Sequence, residues 1–267
     1  MLLLRAHMNS AGLVAGGLLG ALACAEPRTR LPLPALFPVI GGATPVPGNG
    51  VGLSLELADG LRGPELGRGE VRGGGISAGA GDRASLGYLY QETSDADSGV
   101  TLHVGVELAR FKVRVGHLFG VRSQVAVYGA IGSSERARSG LQEDRLHTWE
   151  FALPAEFLVT DPQASSRASL FVGPRVVFER YEDRLRPDQS FDTIFPGVVG
   201  GLHLALGHVE LFVESTLAYV PRNSYLGVPS GSRLAVMPAL SAAVRVGPAF
   251  RWSPGPVEQC DSVRRCQ

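Results

Sequence analysis

Long alternation of apolar residues with small or polar ones is the feature that most limits how this chain folds. The stretch LAVMPALSAAVRVGPAFRW, at 234–252, carries leucine, valine and aromatic residues mainly on even positions, and alanine, serine and arginine mainly on odd ones. A period of two indicates a β-strand, and this strand is far longer than the roughly 5–6 residues usual in soluble sheets. Pro238 cannot donate to a sheet ladder, so we expect it where pairing does not need its N–H group.

The same alternation recurs along most of the chain and predicts ten strands. Their approximate ranges are 51–57, 69–80, 84–90, 99–118, 122–133, 147–160, 166–181, 193–206, 209–220 and 233–252. The longer connections, at 59–68, 92–98, 134–146, 182–192 and 221–232, alternate with short ones at 81–82, 119–121, 161–165 and 207–208. Membrane barrels have long loops at one end and short turns at the other, so this alternation predicts a barrel.

One strand shows a change of phase. The apolar face of 99–118 runs over even positions as far as Leu108 and continues on odd positions from Phe111. A β-bulge places two residues opposite one and shifts the phase in this way, so the pattern predicts a bulge near Ala109 and Arg110. A hairpin there is the competing interpretation, but it lacks the Gly, Asn or Asp typical of a tight turn.

The N-terminal region is typical of an exported protein. Residues 1–25 resemble a signal peptide with Ala23-Cys24-Ala25 as the cleavage site, although a single spanning helix and lipidation at Cys24 are alternatives. Residues 26–48 form a proline-rich lead-in that we expect to be extended. After residue 25 no apolar stretch is long enough for a spanning helix, so membrane insertion requires strands.

The C-terminal tail, 253–267, contains Cys260 and Cys266. In an exported protein two nearby cysteines predict a disulfide, and a metal site would need further ligands.

Large residues lie on one side of most strands, and small or charged residues lie on the other. Over 49–252 this pattern, with the signal peptide, the asymmetric loops and the aromatic residues Phe250 and Trp252, resembles the outer-membrane β-barrel proteins of Gram-negative bacteria. The resemblance implies an all-β fold, a transmembrane antiparallel up-and-down barrel of about ten strands. It also implies an outer-membrane location, contact with outer-membrane lipid, and assembly by the outer-membrane machinery. A soluble sandwich or lipocalin-like barrel is the alternative.

If the chain forms this barrel, a set of polar residues is predicted to face the lumen. They are Glu56, Arg72, His103, Glu107, Glu150, Glu156, Arg175, Glu179, Glu210, Glu214, Arg245 and Arg251. Confined opposite charges must pair or stay hydrated, so this set predicts either a salt-bridged interior that fills the barrel or a narrow path for a small solute. The 25 basic residues balance the 25 acidic ones, which gives no reason to expect nucleic acid as a partner.

Catalytic signals are weak. Gly75-Ile76-Ser77-Ala78-Gly79 matches G-x-S-x-G but lies inside a predicted strand, whereas a nucleophile elbow joins a strand to a helix. Ten strands and the acidic pair Asp95 and Asp97 are similar to omptin proteases, with His147 and Asp144 as the nearest match to the acid–histidine pair. No cofactor motif is present. We expect a non-catalytic structural or narrow-pore protein, with an outer-membrane hydrolase of lipid A, phospholipid or peptide, or a secreted binding barrel, as alternatives.

Overall fold

The structure is a computed structural model that describes part of the chain. The described ranges are 38–61, 68–81, 83–95, 102–118, 122–138, 141–161, 164, 166–183, 190–221 and 234–247, and all of them belong to the compact unit Leu33–Gln267. The predicted signal peptide, the lipidation of Cys24 and the Cys260–Cys266 disulfide lie outside these residues. Within them, no helix is long and apolar enough to cross a membrane.

Eleven strands account for most of the described residues. They are β1 (Val51–Leu61), β2 (Arg68–Ala80), β3 (Ala84–Asp95), β4 (Leu102–Gly116), β5 (Ser123–Arg138), β6 (Leu141–Ala152), β7 (Ala155–Leu158), β8 (Ser166–Asp183), β9 (Phe191–Leu206), β10 (Val209–Tyr219) and β11 (Leu234–Val246). Strands β6 and β7 are two parts of one strand, because both pair with β5 on one side and β8 on the other. Pro154 lies at the interruption between them.

The sheet closes on itself as a barrel. Each strand pairs antiparallel with its sequence neighbours, and β1 pairs with β11 from Val51↔Val246 to Ala58↔Ala239. Counting β6 and β7 as one, the barrel has ten strands, which confirms the predicted antiparallel up-and-down architecture. Closure leaves no sheet edge along this seam, and that is what a bilayer demands of a strand-built protein.

Pro238 marks the end of the closing seam. The pairing of β1 with β11 stops at Ala58↔Ala239, one residue before the proline, whereas β11 continues to pair with β10 as far as Leu234. The proline therefore lies just beyond the pairing with β1, as expected for a residue that cannot donate to the ladder.

Side chains alternate between a lipid-facing outer surface and the lumen. On β11 the even residues are exposed and apolar, while Met237, Ser241 and Arg245 point inward and are buried. The 13 residues of β11, at a rise of about 3.3 Å and a tilt of roughly 40°, span about 33 Å along the barrel axis, which is enough for an apolar band of about 25 Å. The apolar outer surface and polar lumen make this a transmembrane barrel.

The two ends of the barrel differ. One end, called the turn end below, has the connections 81–83, 117–122, 159–165 and 207–208. The opposite end, called the loop end, has the longest connection, 220–233, but also the shortened connection 139–140. The prediction of a long loop at 134–146 was wrong, because β5 extends to Arg138 and β6 begins at Leu141. These ends of β5 and β6 are rich in polar residues. They therefore lack the alternation of apolar and polar residues by which a strand is predicted.

The predicted bulge at Ala109 and Arg110 was also wrong. β4 pairs with β3 without interruption from Val113 to Leu102, and a register shift on the β5 side occurs only between Arg114 and Gly116. The apparent phase change has a different cause. Near the loop end Val106 and Leu108 face the lumen and are 1% exposed, whereas Phe111 faces outward nearer the turn end. The apolar face changes sides while the strand remains regular.

This reversal corrects the assignment of two charged residues. Arg72 and Glu107 were predicted in the lumen, but both side chains are exposed on the outer surface near the loop end. The inward neighbours of these two residues are Val71, Val106 and Leu108. At this level the barrel is built like a soluble one, with apolar residues inside and charge outside, so this level of β2 and β4 lies beyond the apolar band.

Aromatic residues mark the same boundary on the other side of the barrel. The rings of Trp149 and Phe178 lie 5.2 Å apart on the outer surface. Toward the loop end they are followed by Arg180, whose guanidinium approaches Glu182 and Asp192 at 3.5 Å each. An apolar band bounded by aromatic residues and then by charged ones is the arrangement expected at a membrane interface.

We predict that an arginine in the apolar band destabilises the barrel and that one beyond the band does not. Val213, on the outer face of β10, is 52% exposed, and V213R should lower the free energy of unfolding in liposomes by about 2–4 kcal/mol. Ser133 is exposed on β5 near the loop end, so the control S133R should cost under about 0.5 kcal/mol. Equal losses in the two variants would contradict the assignment of the band.

Candidate functional site

A segment of the chain before β1 lies inside the barrel. Residues 38–47, called the luminal strap, lead from Gly50 at the turn end into the lumen, and residues 38–46 are buried. The strap enters against Gly79 of β2, where an added Cβ would lie 2.0 Å from the Pro47 carbonyl oxygen. The sequence predicted this proline-rich region as an extended lead-in and did not place it in the lumen.

Two adjacent glycines set the path of the strap. Gly41 and Gly42 have φ values of +65° and +71°, in the left-handed region that favours glycine. A Cβ on Gly42 would lie 2.8 Å from a carboxylate oxygen of Glu156. Both the backbone conformation and the close approach therefore require glycine at position 42.

Carboxylates on the barrel wall accept the N–H groups of the strap. Glu214 on β10 accepts from Ile40 N and Gly41 N, each at 3.1 Å. Glu156 on β7 accepts from Ala43 N at 2.8 Å, from Thr44 N at 3.0 Å and from the Thr44 hydroxyl at 2.9 Å. Hydrogen bonds to an ionised acceptor are stronger than neutral ones, so these two glutamates are the main anchors of the strap.

Cationic side chains satisfy the carbonyl groups of the strap. Lys112 Nζ donates to the Ile40 oxygen at 2.7 Å and to the Gly41 oxygen at 3.0 Å. Arg175 Nη2 donates to the Pro38 oxygen at 2.6 Å. Since the strap has no sheet partner, these contacts replace the ladder that its backbone would otherwise need. Nearly all of them go to main-chain atoms.

The anchor Glu156 belongs to a chain of charged groups near the turn end. His203 lies between two carboxylates, with Nδ1 2.7 Å from Glu156 and Nε2 3.1 Å from Glu210. Arg245 then binds Glu210 through Nε at 2.6 Å and Nη2 at 2.8 Å. A neutral imidazole has one donor, so only the doubly protonated ring donates to both glutamates.

The other anchor belongs to a second group of charges near the middle of the barrel. Arg175 Nε lies 2.7 Å from Glu150, and its Nη1 donates to Thr216 at 2.7 Å and lies 3.7 Å from Glu214. Opposite, Arg110 pairs with Glu56 at 2.8 Å. These residues are buried or nearly so, which means that each depends on its partner for compensation of its charge.

The lumen becomes apolar toward the loop end. Val71, Leu89 and Leu108 belong to one buried cluster on β2, β3 and β4. Val177, Phe195, Ala218, Val220 and Met237 form another on β8, β9 and β11 and around the end of β10. A hydrated ion would lose its water shell against such walls without gaining polar partners.

Eight of the predicted lumen residues face the interior. They are Glu56, Glu150, Glu156, Arg175, Glu179, Glu210, Glu214 and Arg245, and all are buried. Arg72 and Glu107 face outward, as described above. The side chain of His103, and all of Arg251, Cys260 and Cys266, lie outside what the structure describes.

Sequence reasoning did not single out Arg110, Lys112 or the strap itself. The two cations alternate with Phe111 and Val113, so the regular alternation of β4 was a signal for their inward direction. The pair Gly41-Gly42 was a signal for an unusual backbone. Neither signal shows that residues 112, 156 and 214 meet around one segment.

The lumen contains serine, histidine and glutamate together, but not in the geometry of a nucleophile and its base. The Ser169 hydroxyl donates to Glu156, and His203 has both ring nitrogens on glutamates. In the serine–histidine arrangement the serine hydroxyl donates to a ring nitrogen of the histidine, and here both ring nitrogens of His203 contact glutamates instead. Ser77 of the G-x-S-x-G match lies within β2, away from any strand-to-helix turn. The described residues contain no group of three potential metal ligands.

Comparison with known proteins gives distant similarities of structure. No protein-family model matches the chain, and no curated protein sequence is similar to it. The structure is similar to the translocator domain of the autotransporter NalP from Neisseria meningitidis, with a TM-score of 0.42 and 13% identity over 90% of this chain and 96% of that one. It is also similar to Ail, the attachment invasion locus protein of Yersinia pestis, with a TM-score of 0.26 and 8% identity over 74% of this chain and 95% of that one.

We predict that the approach of Gly42 to Glu156 contributes to the stability of the barrel beyond its backbone conformation. Gly81 has nearly the same φ, +69°, but an added Cβ would meet nothing within 4 Å. G81A should therefore cost about 1–2 kcal/mol of unfolding free energy from the backbone alone. G42A should cost more, by about 1 kcal/mol or above, because the anchor must also move. Denaturant unfolding in liposomes measures the free energy of unfolding of both variants. Equal costs for G42A and G81A would contradict the close contact of the strap with Glu156.

Proposed function

We propose that this chain is a non-catalytic outer-membrane barrel that is closed by its own luminal strap and presents its loops at the cell surface. The observation that carries the proposal is the strap, whose backbone is bound by Glu156, Glu214, Lys112 and Arg175. Charge-assisted hydrogen bonds hold both the N–H and the C=O groups of this segment, so it is an integral part of the folded barrel. It occupies space that a pore would need.

Three features support a closed barrel over a narrow pore. The strap fills the lumen from the turn end toward the middle, the charged wall residues pair with one another, and the loop-end walls are apolar. An ion on this path would have to displace paired groups and then cross an apolar section. A barrel of ten strands is also close in size to those that side chains alone can fill.

The outer surface supports a location in a membrane and argues against a secreted binding barrel. Apolar residues such as Leu55, 72% exposed, and Leu86, 62% exposed, continue around the strands. An apolar surface of this extent on a soluble monomer would cause association. Outer-membrane lipid is the partner that fits it, and the signal peptide expected at 1–25 would deliver the chain for insertion by the assembly machinery.

The orientation rests on the longest connection, 220–233, which lies at the loop end. In outer-membrane barrels the short turns face the periplasm and the long loops face outward. The strap enters at the turn end, so its entrance would open to the periplasm. The loop end, where Arg180 and Asp192 are exposed, would then reach the cell surface. The alternative function is hydrolysis of lipid A, phospholipid or peptide. Release of acyl chains or peptides by the purified barrel would support it.

We predict that the wild-type barrel does not conduct in planar bilayers and that loosening the strap opens it. E156Q/E214Q removes the charges of the two main anchors of the strap amides, so discrete channel openings should appear at least about tenfold more often than in wild type. The expected size follows from the loss of several charge-assisted hydrogen bonds, each worth more than about 1.4 kcal/mol, or a factor of ten.

The matched control is E210Q/R245Q, which removes the ion pair between Glu210 and Arg245 and weakens the contact of Glu210 with His203, but keeps both anchors, Glu156 and Glu214. It should remain closed. Steady conductance of the wild-type barrel would contradict closure, and equal opening of the two double variants would show that the strap is not what closes the lumen.

A further inference from the structure

A cavity of about 80 Å³ lies between the luminal strap and the barrel wall. Its lining includes Arg110, Lys112, Tyr128, Ser241 and Arg245. A single water needs roughly 10–15 Å³ measured in the same way. The cavity therefore has room for several waters or for one small ion with part of its hydration.

Among the residues that line this cavity, cations outnumber carboxylates. Arg110 is paired with Glu56, and Arg245 is paired with Glu210. Lys112 contacts two strap carbonyls and has no ion pair with a carboxylate among the described residues. Glu156, which is also in the lumen, is already engaged by His203, Ser169 and the strap. The cations that line the cavity, Arg110, Lys112 and Arg245, therefore outnumber the glutamates that line it, Glu56 and Glu210, by one.

Hydrogen-bond donors are also in excess. An ammonium group has three donors, and Lys112 uses two of them on the strap. The hydroxyl of Tyr128 is buried, with the side chain 1% exposed, and has no partner among the described residues. Ser85 and Ser241 add further hydroxyls to the lining. Buried donors without an acceptor are costly, so the site is suited to a ligand that accepts hydrogen bonds and carries negative charge.

We propose that this cavity binds a small oxyanion of the size of inorganic phosphate. Lys112 supplies a cation that no described carboxylate contacts directly, and Tyr128 supplies a hydroxyl without a partner among the described residues. Water alone would satisfy the hydroxyl but would leave Lys112 without an anion in direct contact. This ligand site is a separate proposal from closure of the barrel. The anion would lie between the strap and the wall and would contact Lys112 and Tyr128.

Titration of the refolded full chain with inorganic phosphate tests this site. Binding is measured by calorimetry in detergent. The ionic strength is kept constant by lowering the chloride concentration as phosphate is added. We expect saturable binding at one site. Y128F leaves every strap contact in place and should weaken binding severalfold, and K112M should weaken it by about tenfold or more, as expected for loss of a charge-assisted hydrogen bond.

The matched control is T193V. The Thr193 hydroxyl is also buried without a partner, but Thr193 does not line the cavity, so T193V should bind phosphate like wild type. Absence of saturable binding, or binding that Y128F and K112M leave unchanged, would overturn the proposal and mean that the cavity holds water only. A barrel that conducts and still binds phosphate through Lys112 would disprove closure and leave the anion site intact.

Discussion

The structure depends on one requirement: a backbone segment placed inside a membrane barrel must find partners for its amides and carbonyls. The luminal strap meets it mainly through two glutamates, Glu156 and Glu214, that accept N–H groups, and two cations, Lys112 and Arg175, that donate to carbonyl oxygens. Those four side chains lie on β4, β7, β8 and β10, so the strap connects opposite parts of the wall. The charged pairs around them then compensate the remaining charge.

The same requirement explains how charge is distributed along the barrel. Toward the turn end and the middle, the wall facing the strap is charged, and the lipid-facing surface is apolar. Beyond the apolar band near the loop end the order reverses on β2 and β4, with Arg72 and Glu107 outside and Val71 and Leu108 inside. On β2 and β4 the apolar residues therefore lie on whichever face of the sheet is shielded from water, outward within the apolar band and inward beyond it.

Much of the fold could be predicted from the sequence, because alternation is a local property. The closing strand, the short turns and the inward direction of Glu210, Glu214 and Arg245 all follow from a period of two. The bulge near Ala109 was predicted wrongly for the same reason: a change in environment along a regular strand produces the same pattern as a change of register. Only the pairing of β4 with β3 distinguishes the two.

The strap could not be predicted, because its contacts join residues that are far apart in sequence. Ile40 and Glu214 are separated by 174 positions, and no local pattern relates them. Hydrogen exchange on the barrel in liposomes tests the central claim most directly. The account predicts that the amides of Ile40, Gly41, Ala43 and Thr44 exchange as slowly as those of β10. Exchange of these four amides at the rate of an unstructured chain, while the strands stay protected, would contradict it.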